Sequence, residues 1–337
     1  MNILITGVAG FIGSNLAKKL IDKGDKVIGI DNLSHGRMSN LDQIIKNPNF
    51  TFILGDLANT FLLNKANTDV VVHLASQKIP RYTSALCTLE ENYLILNNII
   101  LKCRQDKSKL VFSSTSDVYG KNTNLPFNEG SDLVLGSTTI KRWAYASSKI
   151  IGEQLIMANH DEYGIDFTIM RLFGSYGPHQ NITWWGGPQG VFIQNILEGK
   201  PIEIHGNGCQ TRTFTYIEDL LQGILKCIFE GKAKNNIYNI ASDVDSEICI
   251  KDLGTRIWNL MNDGEALKKP NIVYVPYSNF GKYEDVLRKV ADLTKIKNDL
   301  GYKPVYNLDE GLRLTIDWQK SVFRKRGSRF KKELQIR

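Results

Sequence analysis

Short apolar runs alternate with amphipathic stretches through the first half of the chain. The runs hold five or six residues, many of them β-branched, which is typical of strands buried on both faces of a parallel sheet. They lie at residues 2–6, 26–30, 50–54, 69–74, 109–113 and 166–171. Between most of them lie segments with helical periodicity, for example residues 15–23 and 89–104. This alternation predicts an α/β fold in which a doubly wound parallel sheet carries helices on both faces.

The pattern becomes irregular after residue 175. It predicts a short strand at residues 202–205 and three helices near residues 191–199, 217–230 and 250–262. We therefore expect a large first domain over residues 1–175, a smaller C-terminal α/β lid over residues 176–318, and a tail over residues 319–337.

Composition and charge narrow the class of protein. The chain has 337 residues, of which 42% are hydrophobic and 23% are charged, as in soluble globular proteins. No apolar run approaches the roughly 18 residues of a membrane span, so we expect no membrane partner. The formal net charge is +7, but residues 320–337 hold eight Lys or Arg against one Glu, and the rest of the chain has 34 residues of each sign. We therefore expect no nucleic-acid partner, and a tail that is a solvated helix end or a mobile extension.

The cysteines and the N-terminus bear on the cellular compartment. The chain has 5 cysteines, an odd number without close pairing, which fits neither a disulfide framework nor a zinc site. The chain also opens directly on a strand, so removal of an N-terminal peptide would destroy the first structural unit. We expect a cytoplasmic protein with reduced thiols and no metal site.

A glycine-rich loop follows the first strand. Gly7, Gly10 and Gly13 allow a tight turn, close approach of the backbone to a diphosphate, and close packing of helix on strand. Asp31 ends the second strand, where a carboxylate accepts hydrogen bonds from ribose hydroxyls and repels a 2′-phosphate, so a Rossmann domain that binds NAD rather than NADP is predicted. Asp56, after the third strand, either holds the adenine amino group or closes a turn. The predicted cofactor site also includes Phe11, Ile12, Asn32, Leu57, Leu74 and Ala75.

A tyrosine and a lysine are placed for proton transfer. Tyr145 and Lys149 are spaced i, i+4, so the ammonium lies beside the phenol on one helix face. A neighbouring cation, together with the positive charge of the nicotinamide, is expected to lower the phenol pKa and give a usable base. Thr115, at the end of a strand, supplies a hydroxyl to the same substrate oxygen.

Ordered motifs over nearly the whole chain resemble one enzyme family. They are Gly-Val-Ala-Gly-Phe-Ile-Gly (7–13), His-Leu-Ala-Ser (73–76), Ser-Ser-Thr-Ser-Asp-Val-Tyr-Gly (113–120), Tyr-Ala-Ser-Ser-Lys (145–149) and Tyr-Gly-Pro (176–178). In this order they resemble the extended short-chain dehydrogenase/reductases that modify nucleotide sugars. Ala-Asp-Leu-Thr-Lys (291–295) and Leu-Gly-Tyr-Lys-Pro (300–304) resemble that family's C-terminal signature.

The resemblance implies a role for each matching residue. Tyr145 takes the proton of the sugar C4 hydroxyl, Thr115 holds the oxygen, and Lys149 binds the nicotinamide ribose. Lys78 contacts the cofactor, which implies tightly bound NAD that is recycled within a turnover. Arg212 binds the diphosphate of a nucleotide-diphosphate sugar. Residues 1–175 then bind NAD and residues 176–318 mainly bind the substrate.

The fate of the oxidised sugar depends on the residues beside Thr115. Ser116 and Asp117 stand where sugar 4,6-dehydratases typically carry Asp-Glu or Ser-Glu, and Asp117, which is one methylene shorter than the glutamate, weakens that hypothesis. Resemblance to UDP-glucuronate decarboxylases at residues 141–145 and 281–286 includes Lys282, with Arg288 or Lys289 as the basic group near a carboxylate. A 4-epimerase needs no extra acid and is the leading hypothesis. The alternative is a dehydrogenase that releases the 4-keto sugar and NADH, and a dinucleotide sensor or an RNA binder belongs to a different class.

Three further expectations come from the resemblance. Gly174 replaces an asparagine that lies near the substrate diphosphate in many relatives, which is expected to enlarge the pocket. Trp184 and Trp185 either stack on a sugar or base or pack in the core. A homodimer is expected through a four-helix bundle built from the helices that carry residues 92–104 and 145–159.

Overall fold

The computed structural model describes residues 1–65, 67–78, 84–243, 246–262 and 269–335, with the backbone alone at residue 65 and over 326–335. The strands are β1 (Asn2–Thr6), β2 (Lys26–Asp31), β3 (Phe50–Leu54), β4 (Val70–His73), β5 (Lys109–Thr115), β6 (Phe167–Leu172), β7 (Ser175–Tyr176), β8 (Ile202–His205), β9 (Thr211–Thr213), β10 (Thr215–Tyr216), β11 (Asn236–Ile240), β12 (Glu247–Cys249), β13 (Ile272–Val275) and β14 (Arg288–Lys289). The helices are α1 (Phe11–Asp22), α2 (Ala85–Asp106), α3 (Trp143–Tyr163), α4 (Pro188–Leu197), α5 (Ile217–Phe229), α6 (Ile250–Met261), α7 (Thr294–Leu300) and α8 (Leu308–Gln335). Short 3₁₀ turns lie between several of them, including Ser116–Tyr119 and Tyr277–Phe280.

A seven-stranded parallel sheet in the order β11-β6-β5-β4-β1-β2-β3 forms the centre of the molecule. Ile3, Leu4 and Ile5 of β1 are almost wholly buried because helices cover both faces of the sheet. The predicted strands are confirmed, and β5 runs two residues further than expected. Ser114 and Thr115 therefore belong to the strand, and Thr115 stands at its carboxyl end.

A strand and a helix from the second half of the chain pack into the first half. Strand β11 pairs with β6 in parallel, from Asn236 opposite Thr168 to Ile240 opposite Leu172, and α5 packs on α1. The predicted division at residue 175 therefore does not separate two independent cores. The remainder of this half forms small sheets from β7 with β10, from β12, β9 and β14, and from β13 with β8.

The basic tail continues a helix. Helix α8 runs from Leu308 to Gln335, so the predicted boundary at residue 319 falls inside it. Gln319 is buried and donates from Nε2 to the carbonyl of Gly190 at 2.9 Å. None of the helices in the described ranges is long and apolar enough to cross a membrane.

Candidate active site

A cavity of about 990 Å³ opens at the carboxyl ends of the parallel strands and extends between the two halves of the chain. This is the place where open α/β sheets bind ligands. The cavity is lined by all of the predicted site residues except Lys282 and Arg288. The predicted site residues come from motifs far apart in the sequence, and the fold brings them together around this one cavity.

The glycine loop is shaped for a diphosphate. Gly7 has a φ of +71°, and a Cβ there would lie 3.1 Å from the backbone nitrogen of Ala75. A Cβ on Gly13 would lie 2.3 Å from the carbonyl oxygen of Gly7, so α1 packs directly on the loop. The first N–H groups of a helix have no partner within it and carry a partial positive charge. The loop therefore fits the diphosphate of a dinucleotide.

Two carboxylates stand beside the loop in the cavity wall. Asp31 accepts hydrogen bonds from the backbone N–H groups of Ala9, at 2.9 Å, and Leu33, at 2.7 Å. Each of its oxygens has a second lone pair for a ribose hydroxyl. Asp56 accepts from the N–H of Ala58 at 2.8 Å and from the Asn32 amide at 2.9 Å. Asp56 thus closes a turn, one of its two predicted roles, and also lines the cavity.

The end of β5 and the first turn of α3 bring the proton-transfer residues together. The side chains of Thr115 and Ser76 hydrogen-bond the phenol of Tyr145. Nζ of Lys149 donates to the carbonyl oxygen of Ser113 at 2.8 Å and lies 5.9 Å from the Tyr145 ring centroid. The predicted pair therefore lies in one site, but the ammonium is held by the strand rather than by the phenol.

The pKa values of this pair differ from the prediction. Burial raises the pKa of Tyr145 above its usual value, and the Asp117 carboxylate adds to this, against hydrogen bonds from Thr115 and Ser76. Burial lowers the pKa of Lys149 to about 7, with Lys78 adding to the decrease. The prediction that the lysine lowers the phenol pKa is therefore wrong for the protein's own groups, because Lys149 is itself poorly solvated.

A partly buried cluster of charges surrounds Asp117 in the cavity wall, and most of it was not predicted. Lys289 makes a short ion pair with Asp117, and Arg142 Nη2 lies 3.3 Å from the same carboxylate. These cations hold the pKa of Asp117 well below its usual value in spite of burial. Burial lowers the pKa of Lys289 to about 8, and that of Lys78 also to about 8.

Asp285 is the second anion of this cluster. It accepts from Arg142 Nη1 at 2.9 Å, from Arg212 Nη2 at 3.1 Å and from the Tyr277 hydroxyl at 2.5 Å. The arginines and this hydroxyl hold the pKa of Asp285 at about 2, against burial. Arg212 therefore lies in the cavity wall as part of a partly buried network, and its binding of a substrate diphosphate stays a prediction.

Two predicted substrate residues lie outside the cavity. Lys282 is exposed and does not line it. Arg288 also points to solvent and forms a bidentate pair with Glu247, both contacts at 2.8 Å. Successive residues of a strand face opposite sides, so only one of Arg288 and Lys289 can enter the site. Of the two basic groups that the sequence offered, Lys289 is the one in the cavity.

The expectations for the pocket's size and its tryptophans are also modified. A Cβ on Gly174 would lie 3.1 Å from the Phe214 ring, so Phe214 already takes part of the space that the missing asparagine leaves. Trp184 stacks on His205 at 3.9 Å between centroids and packs against the core. Trp185 stacks on His35 at 3.6 Å. Both tryptophans line the cavity.

This fold and site define an NAD-dependent enzyme of the extended short-chain dehydrogenase/reductase class. The family model described as GDP-mannose 4,6 dehydratase matches residues 4–315, and the chain belongs to that family. The chain is 32% identical over 324 residues to UDP-N-acetyl-alpha-D-glucosaminuronate decarboxylase of Bacillus cytotoxicus. The aligned region covers 95% of this chain and 98% of that protein.

Solved structures give the same class. UDP-glucose 4-epimerase of Thermotoga maritima, solved with UDP-glucose, is 28% identical with a TM-score of 0.84, covering 96% of this chain and all of that one. UDP-glucuronic acid 4-epimerase of Bacillus cereus, solved with UDP-glucuronic acid and NAD, is 28% identical with a TM-score of 0.83, again covering 96% of this chain and 100% of that one. NAD is the cofactor of this class, and the glycine loop and Asp31 fit it.

Proposed function

We propose that the protein is a 4-epimerase of a nucleotide-diphosphate sugar. In this reaction the C4 hydroxyl is oxidised to a ketone, the sugar turns over, and the hydride returns to the other face. The observation that carries the proposal is the pairing of the two carboxylates in the charge cluster of the cavity wall. Asp117 pairs with Lys289 and Arg142, and Asp285 pairs with Arg142 and Arg212, so these cations hold both carboxylates ionised.

The carboxylates of this site cannot supply the proton that a 4,6-dehydratase needs, so in a dehydratase a lysine such as Lys289 would have to do so. Elimination of water across C5 and C6 requires an acid to protonate the departing hydroxyl. The pKa of Asp117 lies well below its usual value, and that of Asp285 is about 2, so neither carries a proton near neutral pH. Epimerisation needs only one group that takes and returns the C4 proton.

Tyr145 is the group that we assign to this proton. Bound NAD supplies the hydride acceptor and a positive charge that favours the phenolate. Thr115 hydrogen-bonds the phenol and is placed to hold the same substrate oxygen. Lys149, with a pKa of about 7, can hold or release a proton beside Tyr145 at physiological pH. These residues can return the proton to the ketone oxygen when the hydride comes back.

The cations of the cavity favour a sugar that carries a carboxylate. Lys289, Arg142 and Arg212 outnumber the two carboxylates that they bind, and Lys78 and Lys149 add further positive charge. Nε of Arg142 is buried and has no hydrogen-bond partner among the described residues. A diphosphate together with a sugar carboxylate would balance this charge. The relatives named for UDP-glucuronic acid and for UDP-N-acetylglucosaminuronate support such a uronate substrate.

Decarboxylation of a nucleotide uronate is a second candidate. Oxidation at C4 makes the C6 carboxylate a β-keto acid, which loses CO₂ as its electrons move toward the ketone. C5 must then take up a proton. The observation in favour is Lys289, a buried amine with a pKa of about 8 in the cavity wall that can donate one. The named decarboxylase among the relatives supports this candidate as well.

Product analysis separates the candidates. The protein is incubated with UDP-glucuronate, UDP-N-acetylglucosaminuronate, UDP-glucose and UDP-N-acetylglucosamine, and the products are followed by NMR with and without added NAD. We expect the 4-epimer of a uronate without net NADH, and a loss of at least about 100-fold in Tyr145→Phe. If CO₂ is released, the 4-epimerase proposal is wrong and decarboxylation is the function. A 6-deoxy-4-keto sugar, or a 4-keto sugar with stoichiometric NADH, would contradict both candidates.

We also propose that the protein is a homodimer. Helices α2 and α3 pack side by side, and large apolar side chains remain exposed along them. These are Leu86, Leu89, Tyr93, Leu94, Leu101, Ile151 and, at the end of α3, Tyr163. Most of them follow a helical repeat on α2, so they form a stripe that a second copy can cover, which supports the four-helix bundle.

A further inference from the structure

Two loops from different halves of the chain meet at the cofactor end of the cavity. His35 lies on the loop after β2, and Trp185 lies on the loop between β7 and α4. Their ring centroids are 3.6 Å apart and their planes are 15° from parallel. Both residues line the cavity. The stack therefore joins two walls that no hydrogen-bonded strand connects.

Both loops are anchored to the same unit, the glycine loop with the first turn of α1. On the His35 side, the backbone N–H of Arg37 donates to the carbonyl of Ala9 at 3.0 Å, and the Asn40 amide donates to it at 2.9 Å. These bonds hold the loop against the phosphate-binding turn.

The anchors of the Trp185 loop are equally close to the glycine loop. The Asn15 amide donates to the carbonyl of Pro178 at 3.0 Å, and the Ser14 hydroxyl pairs with Nδ1 of His179 at 2.9 Å. Nε2 of Gln180 donates to the carbonyl of Gly186 at 2.5 Å, which fixes the turn that carries Trp185. The two rings are thus presented to each other by braced loops.

The stack also contacts the third wall of the cofactor site. Burial lowers the pKa of His35 and the neighbouring Gln77 side chain opposes this, and Nζ of Lys78 lies 5.9 Å from the Trp185 ring centroid. Gln77 is held in turn by Glu91 of α2, with 2.8 Å between Nε2 and Oε2. The walls that carry Asp31, Lys78 and the glycine loop are therefore linked through these two rings.

We propose that the His35–Trp185 stack is a clasp that retains NAD between turnovers. A dinucleotide held by the glycine loop and Asp31 is enclosed on this side, and its release requires the rings to part. An enzyme that returns the hydride to its own substrate needs no cofactor exchange, so retention serves it. The proposal rests on the proposed function only in that the hydride returns to the substrate, which is true of epimerisation and of decarboxylation alike.

Cofactor exchange tests the clasp directly. The full-length protein is loaded with NAD, excess labelled NAD is added, and the label retained after rapid desalting is followed with time. Trp185→Ala and His35→Ala should each exchange roughly threefold to tenfold faster than the wild type, as expected for loss of one aromatic stack. Trp185→Phe keeps a stacking ring and should exchange at nearly the wild-type rate. The double variant should be little faster than either single one, because both remove the same contact.

The controls separate a clasp from a general loss of structure. Phe61→Ala removes an aromatic ring that is 81% exposed and does not line the cavity, so its exchange rate should match the wild type. Thermal unfolding of each variant checks the fold, and His35→Ala, on the other loop, tests the clasp if Trp185→Ala does not fold. Wild-type exchange rates in both alanine variants would overturn the proposal. So would a Trp185→Phe variant that exchanges as fast as Trp185→Ala.

Discussion

At the scale of single residues, Lys289 and Arg288 form a natural test of the site. They are neighbours on β14, but the side chain of Lys289 is 10% exposed and pairs with Asp117, whereas that of Arg288 is 51% exposed. Lys289→Met leaves the partly buried Asp117 carboxylate with Arg142 as its remaining cation, which disturbs the charge cluster of the cavity wall. We expect kcat/KM to fall by at least about 100-fold, measured by the rate of product formation.

The matched variant Arg288→Met removes the same type of charge on the other side of the strand. It breaks only an exposed ion pair with Glu247, so we expect kcat/KM to stay within about twofold of the wild type. Equal losses in the two variants would show that the side of the strand does not matter, and would exclude Lys289 from the site.

Lys149 gives a prediction on pH and stability. Its pKa is about 7 in the fold and 10.5 when the side chain is solvated, so between these values the unfolded chain binds a proton that the folded one does not. The free energy of unfolding therefore rises with pH through this window, and the cost of burying the ammonium is greatest near and below pH 7. Lys149→Met should stabilise the protein by a few kcal/mol at pH 7 and by about half as much at pH 9, in urea unfolding. An equal difference at both pH values would contradict the lowered pKa.

At the scale of elements, a buried ion pair sets the distance between α3 and the sheet. Glu153 of α3 accepts from Arg171 of β6 at 2.7 and 3.0 Å, and from the Ser114 hydroxyl of β5 at 2.5 Å. Ser114 and Glu153 lie one and eight residues from Thr115 and Tyr145 along their elements. The network therefore positions the end of β5 against the helix that carries the phenol.

Glu153→Gln leaves Arg171 with an uncompensated buried charge. We expect a loss of about 3 kcal/mol in the free energy of unfolding and a lower kcat. Glu162→Gln, on the exposed end of the same helix, is the control and should change neither quantity. A stable Glu153→Gln protein with normal kcat would exclude the positioning role.

At the scale of the whole molecule, the exposed stripe on α2 predicts association. Tyr93 and Leu101 are 52% and 48% exposed, and a lysine at each should turn the proposed dimer into a monomer in sedimentation or light scattering. Leu54→Lys, at a position 63% exposed and outside α2 and α3, should remain a dimer. A wild-type protein that is monomeric at micromolar concentration would contradict the proposal.

The chain's own pattern determined the sheet and the cofactor. The apolar runs predicted β1 to β6 because a strand buried on both faces must be apolar throughout, and this constraint is local. The glycine spacing and Asp31 predicted NAD for the same reason, since the turn, the helix start and the carboxylate are set within a few residues of one another. Tyr145, Lys149 and Thr115 were found by their motifs.

The tertiary structure decided the charges around the substrate. Arg142, Asp285 and Lys289 are remote in sequence from Asp117, and a strand of two residues gives no periodicity that shows which of Arg288 and Lys289 faces inward. The strand β11 and the His35–Trp185 stack also join segments far apart in the chain. Burial, and with it the pKa of Tyr145, Lys149 and Asp117, depends on what the folded chain places around each group, so no local pattern carries it.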